Sequence, residues 1–510
     1  MSALSVDAGT SVVKAVVYDD DGTQAGLSRR PVPVSRPRPG WAEQDMTSVW
    51  DAVAAVIRDV LPQAPSPVRF LAITAQGDGC WLVGPDGAPT GPAILWSDGR
   101  AGDTVESWRE AGVLEQAFRI NGSLTFSGLP NAILTWLAAH DPDRVHRSAA
   151  ALTCGGWLYL KCTGEVGAEL ADASAPFLDP RARRYAPELL HLYDLEWAAR
   201  LLPEVRPDPA RSAPLTADAA SQLGLPAGLP VVMAPYDVAS TALGVGAVEP
   251  GQVCTILGTT LCTEMVSDID TSGEPSGLTV VRGPGDQVLR VFPTLAGTEV
   301  LDWAADLLGV AGPSQLADLA AAAAPGARGL TFLPYVSPAG ERAPFLNPYA
   351  KGVFWGLSLG HGRAEIARAV FEGLSMVIRD CIEAFHQPAA ELRVCGGGAN
   401  SDLWRQLIAD VVGAPVTPSA DVEAGARGAY LSGLVATGVE PSIAAAARHV
   451  RAGRSSEPDP RRVDFYTARY QQFRLLREIS AQGWSVSSDA QPAPRSTVGP
   501  PTEGRDAGTI

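Results

Sequence analysis

The chain has 510 residues, which is long enough for roughly two to four domains and for a core that needs neither disulfides nor a structural metal. Its net charge of −16 argues against nucleic acid and anionic membrane surfaces as partners. The seven cysteines contain no CxxC pair, which argues against a zinc site and is consistent with a reducing, cytoplasmic location.

Neither a signal peptide nor a membrane span is expected from the apolar pattern. The first residues lack a basic region followed by an apolar core. No apolar run reaches the ~18 residues that a spanning helix needs.

The N-terminal half of the chain predicts an α/β domain that opens with a hairpin. Apolar and polar residues alternate over 4–8, Gly9 marks a turn, and 12–18 form an apolar, β-branched return strand. A helix is predicted over 45–61 and a buried strand over 68–74, and strands then alternate with helices to about residue 245.

The C-terminal half begins with a similar pattern, which predicts a weak internal repeat. A strand from Gln252 leads into a turn at Gly258, Thr259 and Thr260, and an apolar strand returns. Two such lobes would place two phosphate-holding turns on facing surfaces, although unrelated hairpins can also choose similar turn residues. Further helices are predicted over 364–386, 402–412 and 466–479. The residues after about 484 are rich in Pro, Ser, Gly and Thr, which predicts a disordered tail.

The first hairpin carries a candidate phosphate and metal site. A tight turn at Gly9 allows backbone N–H groups to point at a phosphate, and the hydroxyls of Thr10 and Ser11 add donors. Asp7 ends the leading strand, where it can hold a hydrated Mg²⁺ beside that phosphate, and Lys14 lies on the return strand. An ordinary hairpin turn is the alternative interpretation.

Two segments of the N-terminal half are candidates for reading a sugar. Gln76, Gly77 and Asp78 follow a strand, and their amide and carboxylate can grip vicinal hydroxyls, unless they form only a polar turn. Trp96 offers an apolar wall for a carbon chain and Asp98 a polar handle. A core tryptophan followed by a salt-bridged turn is the alternative for this second segment.

The remaining two motifs suggest a base and a ligand-binding loop. An apolar strand delivers Asp237 to the start of a small-residue helix, where it can take a proton from a hydroxyl or serve as a helix cap. Gly397, Gly398 and Asn400 precede the 402–412 helix, whose N-terminus adds positive potential. These glycines allow a flat or charged ligand to approach the backbone, and a plain strand-to-helix loop is the alternative.

Taken in order, these motifs resemble the FGGY carbohydrate kinases over about residues 4–480. The first hairpin is similar to the family's first phosphate motif, the turn at Gly258 to the second, and the 396–400 loop to the adenosine motif. Residues 352–357 with 369–373 are similar to the C-terminal signature, and residues 340–344 resemble a segment of xylulokinases.

The resemblance implies an α/β fold of two actin-like, ribonuclease-H-like ATPase lobes with a central cleft. A sugar-binding lobe would span 1–246, a nucleotide-binding lobe 247–482, and the disordered tail 483–510. The resemblance also implies ATP and Mg²⁺ as cofactors, Asp237 as catalytic base and Asp7 as the residue that supports the metal. Family members are often dimers, so a homodimer is implied as well.

The acceptor is harder to predict, because the sugar-reading loop departs from two known patterns. Gly77 and Asp78 stand where glycerol kinases carry Arg-Glu and xylulokinases Met-His, and Val238 stands where both place an amide. Residues 74–79 look most like erythritol kinases, whereas 96–100 look like xylulokinases. We therefore predict a small linear polyol, with a ketopentose as the alternative. A non-catalytic sugar and ATP sensor is a third hypothesis, and the strand-to-helix position of Asp237 argues against it.

Overall fold

The computed structural model describes residues 1–207, 210–283 and 286–488. In the N-terminal half, strands β1 to β12 are Ser2–Ala8, Val12–Tyr18, Gln24–Pro31, Glu43–Gln44, Val68–Ala75, Trp81–Val83, Ala93–Ile94, Ala150–Leu152, Leu178–Asp179, Arg184–Tyr185, Ser212–Pro214 and Pro230–Met233. Helices α1 to α10 are Met46–Val60, Gly102–Glu110, Val113–Asn121, Pro130–His140, Pro142–Arg147, Cys154–Thr163, Leu170–Ala173, Pro187–Leu192, Ala217–Leu223 and Asp237–Gly244.

The C-terminal half contains the remaining elements. Strands β13 to β20 are Gln252–Leu257, Leu261–Ser267, Leu278–Val281, Val288–Pro293, Thr331–Leu333, Val353–Trp355, Glu391–Cys395 and Val416–Pro418. Helices α11 to α17 are Thr298–Leu308, Pro313–Ala321, Arg363–Glu383, Asp402–Val412, Ala424–Ala436, Ile443–Ala446 and Pro460–Ser488.

Each half is built around a six-stranded sheet of the same design. The strand orders are β11-β12-β5-β1-β2-β3 and β15-β16-β14-β13-β19-β20. In both sheets the opening hairpin is antiparallel, and a later strand, β5 or β19, pairs in parallel with its first strand. This shared connectivity confirms the predicted internal repeat and the α/β, actin-like fold class.

The first sheet is covered on both faces, as the packing of β1 shows. Leu4 and Val6 pack in the cluster that contains the apolar stripe of α1, while Ala3 packs on the opposite side with α15. Helix α1 begins after Asp45, whose side chain accepts a hydrogen bond of 3.1 Å from the Ser48 N–H. Cover on both faces explains why all seven residues of β1 are buried, including the polar Ser2, Ser5 and Asp7.

The two halves exchange one helix each. Helix α10 belongs to the N-terminal half but packs against β13, β14 and β16 of the second sheet, and α15 packs against β1, β5 and β12 of the first. The helices cross at glycines: a Cβ at Gly428 would lie 1.7 Å from the Ser240 carbonyl oxygen, and one at Gly244 would lie 1.8 Å from that of Ala424. Apolar packing therefore continues across the boundary predicted at 246/247, which stays a prediction.

The last helix differs from its prediction. It was expected over 466–479 but spans Pro460–Ser488, and Trp484 is buried within it. The helix therefore passes residue 483, where the disordered tail was expected to begin, because Trp484 packs on aromatic rings of the C-terminal half. Residues 489–510 of the predicted tail lie outside the described residues. In the described part of the chain, no helix has both the length and the hydropathy to cross a membrane.

Candidate active site

The predicted site residues converge because they follow parallel strands of the two sheets. Asp7 lies in β1, the 76–78 loop follows β5, and Asp237 follows β12. In the second sheet, Gly258 follows β13 and the 396–400 loop follows β19. Parallel strands end at the same edge of a sheet, so each half gathers its motifs at one edge.

A fixed ion pair lies beside the first turn. Asp7 and Lys14 are cross-strand partners, and Lys14 Nζ lies 3.0 Å from Asp7 Oδ2 and 3.2 Å from Glu423 Oε2. Burial lowers the pKa of Lys14, but the two carboxylates outweigh it and leave that pKa above its ordinary value. Burial also raises the pKa of Asp7, and Lys14 opposes that rise. Lys14 is therefore a permanent cation next to the turn, of which Gly9 and the exposed Ser11 are part.

A polar network joins the first turn to the sugar loop. Thr10 Oγ1 donates to Gln76 Oε1 at 2.9 Å, and Trp96 Nε1 donates to Thr10 Oγ1 at 3.0 Å. Gln76 Nε2 donates to Gln44 Oε1 at 2.7 Å, and Gln44 Nε2 donates to the Thr10 carbonyl at 2.6 Å. Both ends of the Gln76 amide are thus bonded within the protein. This differs from the predicted substrate contact and favours a role in positioning the turn.

Asp98 also differs from its predicted role as a substrate contact. It is buried, and its carboxylate accepts hydrogen bonds from Arg100 on both oxygens, at 2.8 Å each, and from the Ala42 N–H at 2.6 Å. Its acceptor positions are taken up by this ion pair, so the salt-bridged turn is the better interpretation. Trp96 is only partly buried, and the Arg342 guanidinium carbon lies 5.8 Å from its ring centroid.

Asp237 has the properties of a general base. It is the first residue of α10, Tyr236 occupies the N-cap position, and Asp237 Oδ1 accepts the Val238 N–H at 2.8 Å. Burial, followed by the negative charge of Asp7, raises the pKa of Asp237 to about 7. A carboxylate with this pKa exchanges a proton near neutral pH, as a general base requires. The cap alternative is wrong for the N-cap position itself.

Asp78 lies close to Asp237 and shares its unusual acidity. Burial raises the pKa of Asp78 to about 7, and the positive charge of Arg342 opposes the rise. Its backbone is left-handed, with φ of 53°. Gly77 allows the loop to pass close to Tyr236, because a Cβ at Gly77 would lie 2.0 Å from that ring. Gly77 therefore sets the path of the 76–78 loop through packing.

Two further pocket residues were not assigned from the sequence. Asp172, in the short helix α7, is near Asp237 and Asp78, whose charges add to the effect of burial in raising its pKa. Within the described residues, its Oδ1 is buried and has no hydrogen-bond partner. Arg342 reaches the pocket from the C-terminal half, and its segment had been noted only as similar to xylulokinases. In the sequence, Asp172 is marked only as an acidic residue within a run of small residues.

The second turn opens into a cavity of about 770 Å³. Gly258 and Thr259 line it together with Gly397, Gly398 and Asn400, which the sequence had assigned to the nucleotide. Thr260 is not among the lining residues. Its backbone instead packs on the start of α11, where a Cβ at Gly297 would lie 2.4 Å from the Thr260 Cα.

The residues present fit a nucleotide and a magnesium ion. A Cβ at Gly397 would meet nothing within 4 Å, whereas one at Gly398 would lie 2.4 Å from the Trp404 ring, so the loop is open on one side and tightly backed on the other. Mg²⁺ keeps several waters and needs only one or two carboxylates besides phosphate oxygens. Asp7 and Asp237 are near enough to influence each other and suit that role. In residues 1–207, 210–283 and 286–488, no group of three or more His, Cys, Asp or Glu side chains could hold a metal ion.

Comparisons with known proteins agree with this geometry. Models of the N-terminal and C-terminal domains of the FGGY family of carbohydrate kinases match residues 2–244 and 254–437. The chain is 34% identical to erythritol kinase of Brucella abortus, over 94% of this chain and 96% of that one. It is 31% identical to L-xylulose/3-keto-L-gulonate kinase of Escherichia coli, over 93% and 96%. The crystal structure of xylulose kinase from Rhodospirillum rubrum superposes with a TM-score of 0.87 at 28% identity, covering 95% of this chain and all of that one. The protein therefore belongs to the FGGY family of carbohydrate kinases.

Proposed function

We propose that this carbohydrate kinase transfers the γ-phosphoryl group of ATP, with Mg²⁺, to a hydroxyl of a small, linear, erythritol-like polyol. The observation that carries the proposal is a group of three carboxyl groups, those of Asp78, Asp172 and Asp237, which lie close enough for their charges to act on one another. Carboxylates accept hydrogen bonds from hydroxyls, and a neutral polyol offers a hydroxyl on every carbon. The partly buried Trp96 supplies an apolar surface for the carbon chain.

The chain's own groups divide the work of phosphoryl transfer. When bound, ATP would supply the phosphoryl group, and Mg²⁺ would offset the negative charge of the phosphates. The Asp237 carboxylate takes the proton of the attacking hydroxyl, which its pKa of about 7 permits. Lys14 and the backbone N–H groups of the two turns face negative charge on the phosphates, and Asp7 supports the metal. Closure of the two halves would exclude water and so limit hydrolysis of ATP.

A polyol is favoured over a ketose by the residue after the base. Val238 is apolar and partly buried, so the position beside Asp237 offers no amide to hold a carbonyl oxygen. The likeness to an erythritol kinase supports the same choice. A ketopentose is the second candidate, supported by the 340–344 segment, by the residues that follow Trp96, and by relatives named as xylulose kinases.

A sensor without catalysis is the remaining hypothesis, and the geometry around the base argues against it. A sensor would need the nucleotide cavity but no carboxylate with a pKa near 7 at the acceptor.

We also propose a cytoplasmic location, where ATP is available and where the seven buried free thiols stay reduced. The homodimer implied by the family resemblance stays a prediction.

A coupled assay of ADP release with Mg-ATP tests the proposal. The panel contains erythritol, D- and L-threitol, xylitol, D- and L-xylulose, D-ribulose, glycerol and gluconate. We expect the highest kcat/KM with a tetritol or pentitol. A dominant ketopentose would support the second candidate. ATP turnover that no acceptor in the panel stimulates would contradict the polyol kinase and favour the sensor.

A further inference from the structure

One cation reaches the acceptor pocket from the opposite half of the molecule. The guanidinium carbon of Arg342 lies 5.8 Å from the Trp96 ring centroid and 5.6 Å from that of Phe126. Both rings belong to the N-terminal half, whereas Arg342 lies between β17 and β18 of the C-terminal half. The side chain is partly buried, and Asp78 is among the acidic groups that act on its charge.

The backbone that carries Arg342 is tightly anchored. Glu341 is buried, and its Oε1 accepts the N–H groups of Leu295 at 2.7 Å and Arg342 at 2.9 Å. The backbone of Glu341 exchanges two hydrogen bonds with Asn347, of 2.9 and 2.8 Å. Arg342 Nε donates to the Pro293 carbonyl oxygen at 2.8 Å. The guanidinium is therefore aimed by its own half of the molecule, before any acceptor binds.

The two terminal amino groups of Arg342 are left for a ligand. Within the residues that the structure describes, neither has a hydrogen-bond partner, although the guanidinium presents five donors. The charge of Arg342 lowers the pKa of Asp78, but the two side chains form no ion pair within 4 Å in that part of the chain. Asp78 is followed by Gly79, where a Cβ would lie 3.3 Å from the Trp96 backbone nitrogen. A carboxyl group from one half and the guanidinium from the other thus both lie near Trp96 without forming an ion pair.

We propose that Arg342 determines acceptor specificity by binding one hydroxyl oxygen of a neutral vicinal diol whose neighbouring hydroxyl donates to Asp78. This inference rests on the proposed polyol kinase activity and names the part of the acceptor that is read. The diol joins the two halves through the acceptor, because its two contacts come from different sheets. Trp96 and Phe126 border the same space and contact the C–H surface of the chain.

A carboxylate on the acceptor fits this pocket less well than a diol. Arg342 alone would attract it, but Asp78 and Asp237 lie nearby, and each repels a further negative charge when it is ionised. A hydroxyl can accept from Arg342 and donate to a carboxylate, so a diol satisfies both signs of charge together.

Removal of a single acceptor hydroxyl tests the proposal. KM and kcat are measured for erythritol and for (R)- and (S)-1,2,4-butanetriol, which lack one internal hydroxyl, in the wild type and in Arg342→Met. We expect the wild type to prefer erythritol by about tenfold or more in kcat/KM, because each triol forfeits a charge-assisted hydrogen bond. In Arg342→Met, the KM for erythritol should rise about tenfold, the preference over one triol enantiomer should fall to about twofold, and the KM for ATP should stay within about twofold.

Two further variants separate recognition from folding. Arg342→Lys keeps the charge but not the planar fork, so it should restore part of the preference for erythritol. Arg30→Met removes an exposed arginine and should leave every preference unchanged. If Arg342→Met melts far below the wild type, Arg342→Lys alone decides the test. A reduced preference for erythritol then supports the role of Arg342, and an unchanged preference overturns it.

The outcomes distinguish the two proposals. Wild-type activity on erythritol with a preference that Arg342→Met and Arg342→Lys leave unchanged would overturn the role of Arg342 and keep the polyol kinase. Wild-type activity on gluconate that exceeds activity on erythritol and is lost in Arg342→Met would show carboxylate recognition instead. Absence of wild-type activity on erythritol and on every other polyol would contradict the proposed function, and the bridged diol with it.

Discussion

The two opening hairpins share one backbone design but surround themselves with different chemistry. Two residues before the turn glycine, the first hairpin has Asp7 and the second has Ile256. Their cross-strand partners are Lys14 and Cys262, so an ion pair in one lobe corresponds to an uncharged pair in the other. The first turn thus lies near the carboxyl groups of Asp7 and Asp237, whereas the second opens into the glycine-lined cavity.

The two turns of this repeated fold therefore suit different tasks. Burial of carboxylates around the first turn raises their pKa values towards neutrality, which proton transfer requires. The second turn needs shape more than charge, and its glycines provide an open loop beside a helix N-terminus. We therefore expect substitutions near the first turn to change chemistry and acceptor binding, and those near the second to change nucleotide binding.

The largest effect is expected from Asp237→Asn. Loss of the base should lower kcat by about 10²- to 10⁴-fold, while ATP affinity stays near that of the wild type. Steady-state kinetics and nucleotide titration measure the two quantities, and the exposed Asp51→Asn serves as the matched control. A kcat within threefold of the wild type would contradict the assignment of Asp237 as base.

The same variant should be more stable than the wild type at pH 8. The pKa of Asp237 is raised in the folded state, so the folded protein binds more protons than the unfolded chain between about pH 4 and 7, and ionisation of Asp237 lowers stability as pH rises through 7. Asparagine cannot ionise, so the variant should avoid this loss. The Tm difference between the variant and the wild type should therefore be larger at pH 8 than at pH 5. That result would also show that the loss of activity is not a loss of folding.

Asp78→Asn should raise the acceptor KM by about 10- to 100-fold, because a hydrogen bond to a charged group is lost. It should also move the acidic limb of the pH profile. The charge of Asp78 contributes to the raised pKa of Asp237, so its removal should shift the rise of kcat/KM from about pH 7 to lower pH. A pH–rate profile of both proteins measures the shift. An unchanged KM across the polyol panel would mean that the 76–78 loop does not contact the acceptor.

Gly398→Ala should raise the KM for ATP by about tenfold. Its Cβ would lie 2.4 Å from the Trp404 ring and 2.9 Å from the Leu257 Cβ, so the loop must move, and overpacking costs about 1–3 kcal/mol. The acceptor KM should stay within about twofold. Gly397→Ala is the matched control for stability, because its Cβ meets no protein atom within 4 Å. A larger change in acceptor KM than in ATP KM would break the division between the lobes.

The smallest expected effect is on stability alone and tests the exchange of helices. Gly428→Ala should destabilise the protein by about 1–3 kcal/mol, although alanine favours helices, because its Cβ would meet the Ser240 carbonyl oxygen. In α17, Gly483→Ala should instead be neutral or stabilising, since nothing lies within 4 Å of its Cβ. Urea unfolding measures both. Equal stability of the two variants would contradict tight packing where α10 and α15 cross.

Several candidate site residues stand out from local pattern alone. Asp237 was found because an apolar strand followed by small residues predicts a strand-to-helix junction, and the structure has that junction. The turns at Gly9 and Gly258 were found because alternating strands flank a glycine. In each case the signal lies within about ten residues of sequence, where backbone preference and burial act directly.

Other predicted substrate contacts are disfavoured because protein groups already occupy the polar side chains. Asp98 is occupied by Arg100 and by the Ala42 N–H, and the amide of Gln76 by Thr10 and Gln44. A polar residue in a loop looks available to a ligand until those partners are known. Arg342 was overlooked as a pocket residue for the converse reason, since it is brought beside Trp96 only by the packing of the two halves.

By itself the sequence determined the order of strands and helices, the two glycine turns and the family to which the chain is similar. Short-range backbone geometry and the period of apolar residues carry that information. Only the tertiary structure decided that α10 and α15 cross between the halves, that Asp98 also accepts the Ala42 N–H, and that Arg342 lies beside Trp96. Those outcomes depend on which surfaces become buried against each other, and burial alone changes the availability and the pKa of a polar group.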